Sequence, residues 1–118
     1  MGSVAAPAKD GGGEVRVAGV CGRGPASELR LKGRDGEIEL RFRLRNAKRG
    51  TAWRIVLVQE RRIAWRGSAR ASGSAGAFEV RRTLVDLPGD DSVTVRALGP
   101  NGLVCQATAT LPEALPES

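Results

Sequence analysis

EIELRFRLR, residues 37–45, sets Glu37, Glu39, Arg41, Arg43 and Arg45 on alternate positions, with Ile38, Leu40, Phe42 and Leu44 between them. Successive side chains of an extended chain point to opposite sides, so strict alternation marks a strand with one face in a core. The apolar row faces that core; the charged row faces water or a partner. Choosing between water and partner is the functional question this sequence poses.

The turn GRDG, residues 33–36, allows two hairpin registers. With Arg34 and Asp35 as the loop, Lys32 meets Glu37, Arg30 meets Glu39 and Glu28 meets Arg41, all pairs of opposite charge. With Asp35 and Gly36 as the loop, the chemistry suits a type I′ turn, which needs positive φ at both central residues, but Arg30 then opposes Arg41. Cross-strand charge pairs contribute only about 0.2–1 kcal/mol each, so the two registers are close in energy. In both, pairing accounts for most of the first half of the charged row. Its end is different: Arg43 and Arg45 run into NAKRG, which adds Lys48 and Arg49, and no acid occurs between positions 40 and 59. Arg43, Arg45, Lys48 and Arg49 are therefore the candidate binding residues, for a polyanion, with a solvated basic face as the alternative.

Similar alternation recurs over 14–21, 27–32, 51–59, 62–70, 77–83, 91–98 and 103–111, with turn residues about every 8–12 positions, the spacing of an all-β sandwich or barrel. Residues 51–66 could also be scored as helix. Clustered Ile55, Val56 and Val58 and the length of the run favour two strands with a turn at Gln59 to Arg62. GSARASGSAG, residues 67–76, reads as a frayed strand end and a mobile loop. Residues 1–13 and 112–118 read as a disordered segment and a loose tail, leaving one domain over 14–111.

The hydrophobic share is 41% and the charged share 27%, ordinary for a soluble globular protein. Nineteen Lys and Arg against 13 Asp and Glu give a net charge of +6, which permits association with anionic polymers, nucleic acid or acidic lipid surfaces. Lys9, Lys32 and Lys48 are the only lysines; the wealth of Arg, Ala and Gly is also what GC-rich coding produces. Histidine and tyrosine are absent, which removes the commonest general base, the commonest metal ligand and every Ser-His-Asp or Cys-His arrangement. No enzyme, cofactor or metal site is expected.

Other motifs are weaker. CGRGPAS has Gly22 and Gly24 but neither a third glycine nor a following helix, which argues against a dinucleotide loop. Asp90 and Asp91 in LPGDDS read as a hydrated turn, with a weak calcium site as the alternative. Trp53 and Trp65 fall on apolar rows and are expected in the core. The basic strands lack interleaved exposed aromatics, so nucleic-acid contact beyond nonspecific adhesion is not expected. Cys21 and Cys105 stand 105 − 21 = 84 positions apart. They would form a bridge between first and last strands in an exported protein, or two buried thiols in a cytosolic one. No apolar run approaches a membrane span, and MGSVAAPAKDGGG reads as an initiating scar joined to a mature N-terminus.

Residues 83–104, TLVDLPGDDSVTVRALGPNGLV, resemble the second half of a fibronectin type III or similar immunoglobulin-like domain, where a leucine and a Pro-Gly corner precede an alternating strand and a final hairpin. Leu84, Leu87, Pro88 and Gly89 match the corner, and Val93, Val95 and Ala97 the strand; Trp53 falls where such sandwiches keep a core tryptophan. Residues 14–111 are also similar to small exported proteins of high-GC Gram-positive bacteria, in which an EVRVAGVC-like first strand, an AW-hydrophobic central strand, FEVRR and a late cysteine recur in this order. The resemblances imply an immunoglobulin-like antiparallel β-sandwich of seven to eight strands, a Cys21–Cys105 disulfide and a secreted or cell-envelope location. The expected function is a monomeric, non-enzymatic extracytoplasmic binding module, contacting an anionic envelope polymer or a protein partner through Arg43, Arg45, Lys48 and Arg49. A small-molecule carrier with an apolar cleft between loops is the alternative, and a purely structural domain another.

Overall fold

The computed structural model describes residues 13–113. Apart from Gly13, Pro112 and Glu113, the terminal segments expected to be disordered lie outside the described residues. Eight strands are formed: β1 (Glu14–Ala18), β2 (Ala26–Arg34), β3 (Glu37–Arg45), β4 (Ala52–Gln59), β5 (Arg62–Arg70), β6 (Phe78–Val85), β7 (Asp91–Leu98) and β8 (Val104–Leu111). They make two four-stranded antiparallel sheets, sheet A in the order β1-β2-β3-β6 and sheet B in the order β5-β4-β7-β8. The protein is a β-sandwich, as the alternation predicts.

The quoted stretch is β3, in the interior of sheet A. Ile38, Leu40, Phe42 and Leu44 are buried together with Leu29 and Leu31 of β2, and the opposing layer supplies Trp53, Ile55, Leu57, Val93 and Val95. Phe78 joins the layers, its ring centroid 6.3 Å from Phe42 and 6.1 Å from Trp53. Trp53 donates its indole N–H to the Thr51 hydroxyl at 3.1 Å, and its ring covers Gly99, where an added Cβ would come within 2.6 Å of it. Trp53 is thus a core residue, as expected.

The β2–β3 hairpin turns on Asp35 and Gly36, with φ of 50° and 80°, and Arg30 pairs with Arg41. Turn chemistry decides the register: Gly36 adopts left-handed φ freely, and that outweighs one like-charge pair of a few tenths of a kcal/mol. The β4–β5 connection is a similar two-residue turn but uses Glu60 and Arg61, at φ 50° and 70°. Each non-glycine residue there carries a steric cost of about 1 kcal/mol. Arg61→Gly is expected to stabilise the protein by up to about 1 kcal/mol in urea denaturation; destabilisation would show that the Arg61 side chain holds this turn.

Two segments differ from expectation. Residues 67–76 are neither frayed nor loose: 67–70 continue β5, and the loop beyond is laced to the β3–β4 loop through Asn46 N to Ala75 O, Ala47 N to Gly76 O, Gly50 N to Ala71 O and Ala71 N to Thr51 O. Small residues are required there because Gly76 lies so close to the Ala47 carbonyl that a Cβ would overlap it. The first strand, expected to run to Cys21, leaves sheet A after Ala18; Val20 pairs with Gln106 of β8, in the other sheet. The disulfide Cys21–Cys105 fixes this crossing.

Asp91 is the other departure. It does not sit in a hydrated turn but opens β7 on the core side, 1% exposed. Its Oδ1 accepts hydrogen bonds from Gln59 Nε2 at 3.2 Å and from the Leu87 N–H at 3.3 Å, while Gln59 also donates to the Val85 carbonyl at 2.7 Å. Burial, followed by a hydrogen bond with Asp86, raises its pKa to about 6. Asp90 is exposed and accepts the Glu113 N–H at 2.9 Å. No cluster of three or more acidic, Cys or His side chains suited to a metal occurs among the described residues.

Candidate anion-binding face

The register that turn chemistry imposes on β2 and β3 propagates outward. Arg16 of β1 opposes Arg30, Arg30 opposes Arg41, and Arg41 opposes Arg81 of β6. Four arginines therefore form one row straight across sheet A, spanning about 14 Å at the usual strand spacing. Like charges in directly opposed positions repel, so nothing in sheet formation favours this row.

Carboxylates compensate its two ends. Glu14 accepts a hydrogen bond from Arg16 and forms an ion pair with Arg30, each at 3.1 Å. Glu79 pairs with Arg81 and also approaches Arg43 at 3.6 Å. Both carboxyls are held below the usual carboxylate range, Glu14 chiefly by the Arg16 hydrogen bond and Glu79 chiefly by that of Arg81. Glu39, beside the row, is engaged by Arg34 at 3.5 Å.

The centre has no direct partner, although Glu79 lies within its electrostatic reach. Half-buried Arg41 makes no ion pair among the described residues, and its Nε is buried with no hydrogen-bond partner. A groove of about 600 Å³ opens over it, lined by Arg30, Lys32, Glu39, Arg41, Arg81 and Thr83. A planar guanidinium suits paired oxygen atoms of phosphate or sulfate, so this arrangement can seat an oxyanion between Arg30, Arg41 and Arg81.

The four residues singled out by the sequence are distributed differently. Arg43 and Arg45 lie exposed on the same outer face of sheet A, with Arg43 opposite Glu28 and Glu79 and Arg45 at the strand end. Lys48 and Arg49 are exposed on the loop that crosses to sheet B. Lys48 lines a second cleft, of about 740 Å³, at the loop end of the sandwich, with Arg23, Pro25, Thr51, Pro100 and Leu103 among its neighbours. One continuous basic segment thus serves two surfaces. The arginine row itself could not be seen in any one stretch, because its members come from four strands and their alignment depends on the register.

Trp65 marks the open side of the sandwich, between the edge strands β5 and β6. It is partly buried, its ring fills the space a Gly67 side chain would take, and the Arg82 guanidinium lies 4.7 Å above it. Arg82 alternates with core residues Val80 and Leu84 yet is exposed, so this cation–π contact lets a charged group close a core row.

No family model matches the chain, and no curated protein matches it. Among solved structures it is similar to the crystal structure of chicken MD-1 complexed with lipid IVa, at a TM-score of 0.32 and 9% identity over 86% of this chain and 99% of that one. No helix among the described residues is long and apolar enough to cross a membrane.

Proposed function

We propose that the protein is a non-catalytic, extracytoplasmic binding module of immunoglobulin-like type, which engages a linear anionic polymer through the outer face of sheet A. The observation that carries this reading is Arg41, the unpaired centre of a four-arginine row beneath an open groove. The Cys21–Cys105 disulfide supports the location, since such bonds persist in oxidising compartments. The reading moves the centre of binding from Arg43, Arg45, Lys48 and Arg49 to Arg30, Arg41 and Arg81, and leaves Arg43 and Arg45 at its margin.

The test is equilibrium binding of polyphosphate and of heparin across a salt series. The R30T/R41T/R81T variant is expected to bind at least about tenfold more weakly at physiological salt, with a log–log salt slope shallower by about 2. Changing Arg43, Arg45, Lys48 and Arg49 to Ser should cost less. The reverse ranking would return the site to the loop. Arg41→Met keeps the aliphatic stem, so it should also raise stability by up to about 1 kcal/mol at low salt by relieving repulsion; a loss of stability would make Arg41 a structural residue.

The cleft at the loop end supports a second reading, a small-molecule carrier, whose ligand would be retained by R30T/R41T/R81T.

A further inference from the structure

Sheet A and sheet B differ in how they treat charge. The strands of sheet A contain Glu14, Glu28, Glu37, Glu39 and Glu79, whereas those of sheet B contain a single acid, Asp91, whose carboxyl is in the core. The outer face of sheet B nonetheless presents Arg54, Arg66, Arg70 and Arg96, all exposed. Arg66 and Arg96 flank Val56 in register, about 10 Å apart across two strand spacings. Arg54 occupies the next outward position along β4. None of these arginines makes an ion pair among the described residues, and only Arg70 is tied down, donating to the Gly50 carbonyl at 2.6 Å. The surrounding side chains are uncharged: apolar Val56 and Leu98 beside the arginines, then Ser68, Gln106, and the Thr94 and Thr108 hydroxyls 2.8 Å from each other.

The adjoining carboxylate of Glu60, at the end of the sheet, accepts the Ser92 N–H at 2.6 Å and pairs with none of these arginines, which therefore draw their counterions from solution. A polymer with closely spaced oxyanions displaces those ions with a gain in entropy, and guanidinium prefers phosphate or sulfate oxygens because it can engage two at once. The two sheets present these surfaces on opposite sides of the molecule, separated by a core about 10 Å thick. A chain lying along one face is therefore directed away from the other.

We infer that the module is bivalent: it bridges two chains of a polymer bearing phosphate or sulfate groups, one on the arginine row of sheet A, the other on Arg54, Arg66 and Arg96 of sheet B. This rests on the anion-binding reading of sheet A and adds a second site with a cross-linking role.

A two-step capture experiment tests it. Polyphosphate anchored to a sensor captures the protein, the surface is washed, and fluorescent polyphosphate is then offered in solution; heparin replaces polyphosphate in a parallel arm to distinguish phosphate from sulfate recognition. Wild-type protein should take up the second chain. R54T/R66T/R96T should still bind the anchored chain and lose about tenfold of second-chain capture. Wild type that binds the anchored chain but captures no second one overturns bridging and leaves the sheet A reading intact. Wild type that binds no anchored chain overturns both. Undiminished capture by R54T/R66T/R96T, with a far-UV spectrum matching wild type, removes sheet B from the account.

Discussion

Replacing Cys21 and Cys105 together by Ala is expected to lower the unfolding free energy by about 4 kcal/mol. The bridge closes a loop across 84 positions, nearly the whole described domain, so it removes a large share of the unfolded chain's conformational freedom. It also acts where backbone pairing is thinnest. After Ala18 the chain has left sheet A, and the Val20 bridge to Gln106 consists of two backbone hydrogen bonds, of 2.8 and 2.9 Å. Stability of a domain this size is typically about 5–15 kcal/mol, so the loss would be a large part of the total. Urea denaturation of the oxidised wild type and the double variant measures it. A difference below about 1 kcal/mol would mean that the strand crossing holds without covalent help.

The second large effect is a dependence on pH that runs against ordinary acid denaturation. The Asp91 pKa is raised in the folded protein to about 6, from 3.8, by burial and then by Asp86. A folded-state pKa above the unfolded one means that the folded protein binds the proton more tightly. The resulting stabilisation is complete below about pH 4 and is lost as pH rises through 6. Unfolding free energy should therefore fall by about 1.3 kcal/mol between pH 5 and pH 7. Asp91→Asn keeps an acceptor for Gln59 and Leu87, removes the buried charge, and is expected to flatten the profile while raising stability at pH 7. Asp91→Ala should flatten it but destabilise, since Gln59 loses a partner. An identical slope in wild type and Asp91→Asn would place the titrating group elsewhere.

The architecture was legible because one physical signal dominates it. Alternation in EIELRFRLR and its seven counterparts locates eight strands, and the terminal positions shift by only a few residues where β2 and β6 run on. What alternation cannot show is which residues of different strands come level. The choice of Asp35 and Gly36 as the turn, a local matter of left-handed backbone, determines that Arg30 faces Arg41 and so creates the arginine row. Arg16 and Arg81, far apart in sequence, join it only through the register of two further strand pairs. The inward carboxyl of Asp91 was hidden for another reason: a Pro-Gly corner followed by two acids reads as solvent-exposed turn, and it is Gln59, reaching from β4, together with the Leu87 N–H that makes its burial tolerable. The sheet change at Val20 was likewise hidden, since EVRVAGVC alternates smoothly through the point where the chain leaves its sheet.

The central claim is that the arginine row of sheet A receives an oxyanion polymer at Arg41. Its most direct test follows the arginine Nε–Hε signals by NMR while short-chain polyphosphate is added at physiological salt. Arg41, Arg30 and Arg81, which line one groove, should shift together and saturate along one binding curve. Unmoved signals from these three, while the backbone amides of Lys48 and Arg49 respond, would contradict the account and place binding at the loop end.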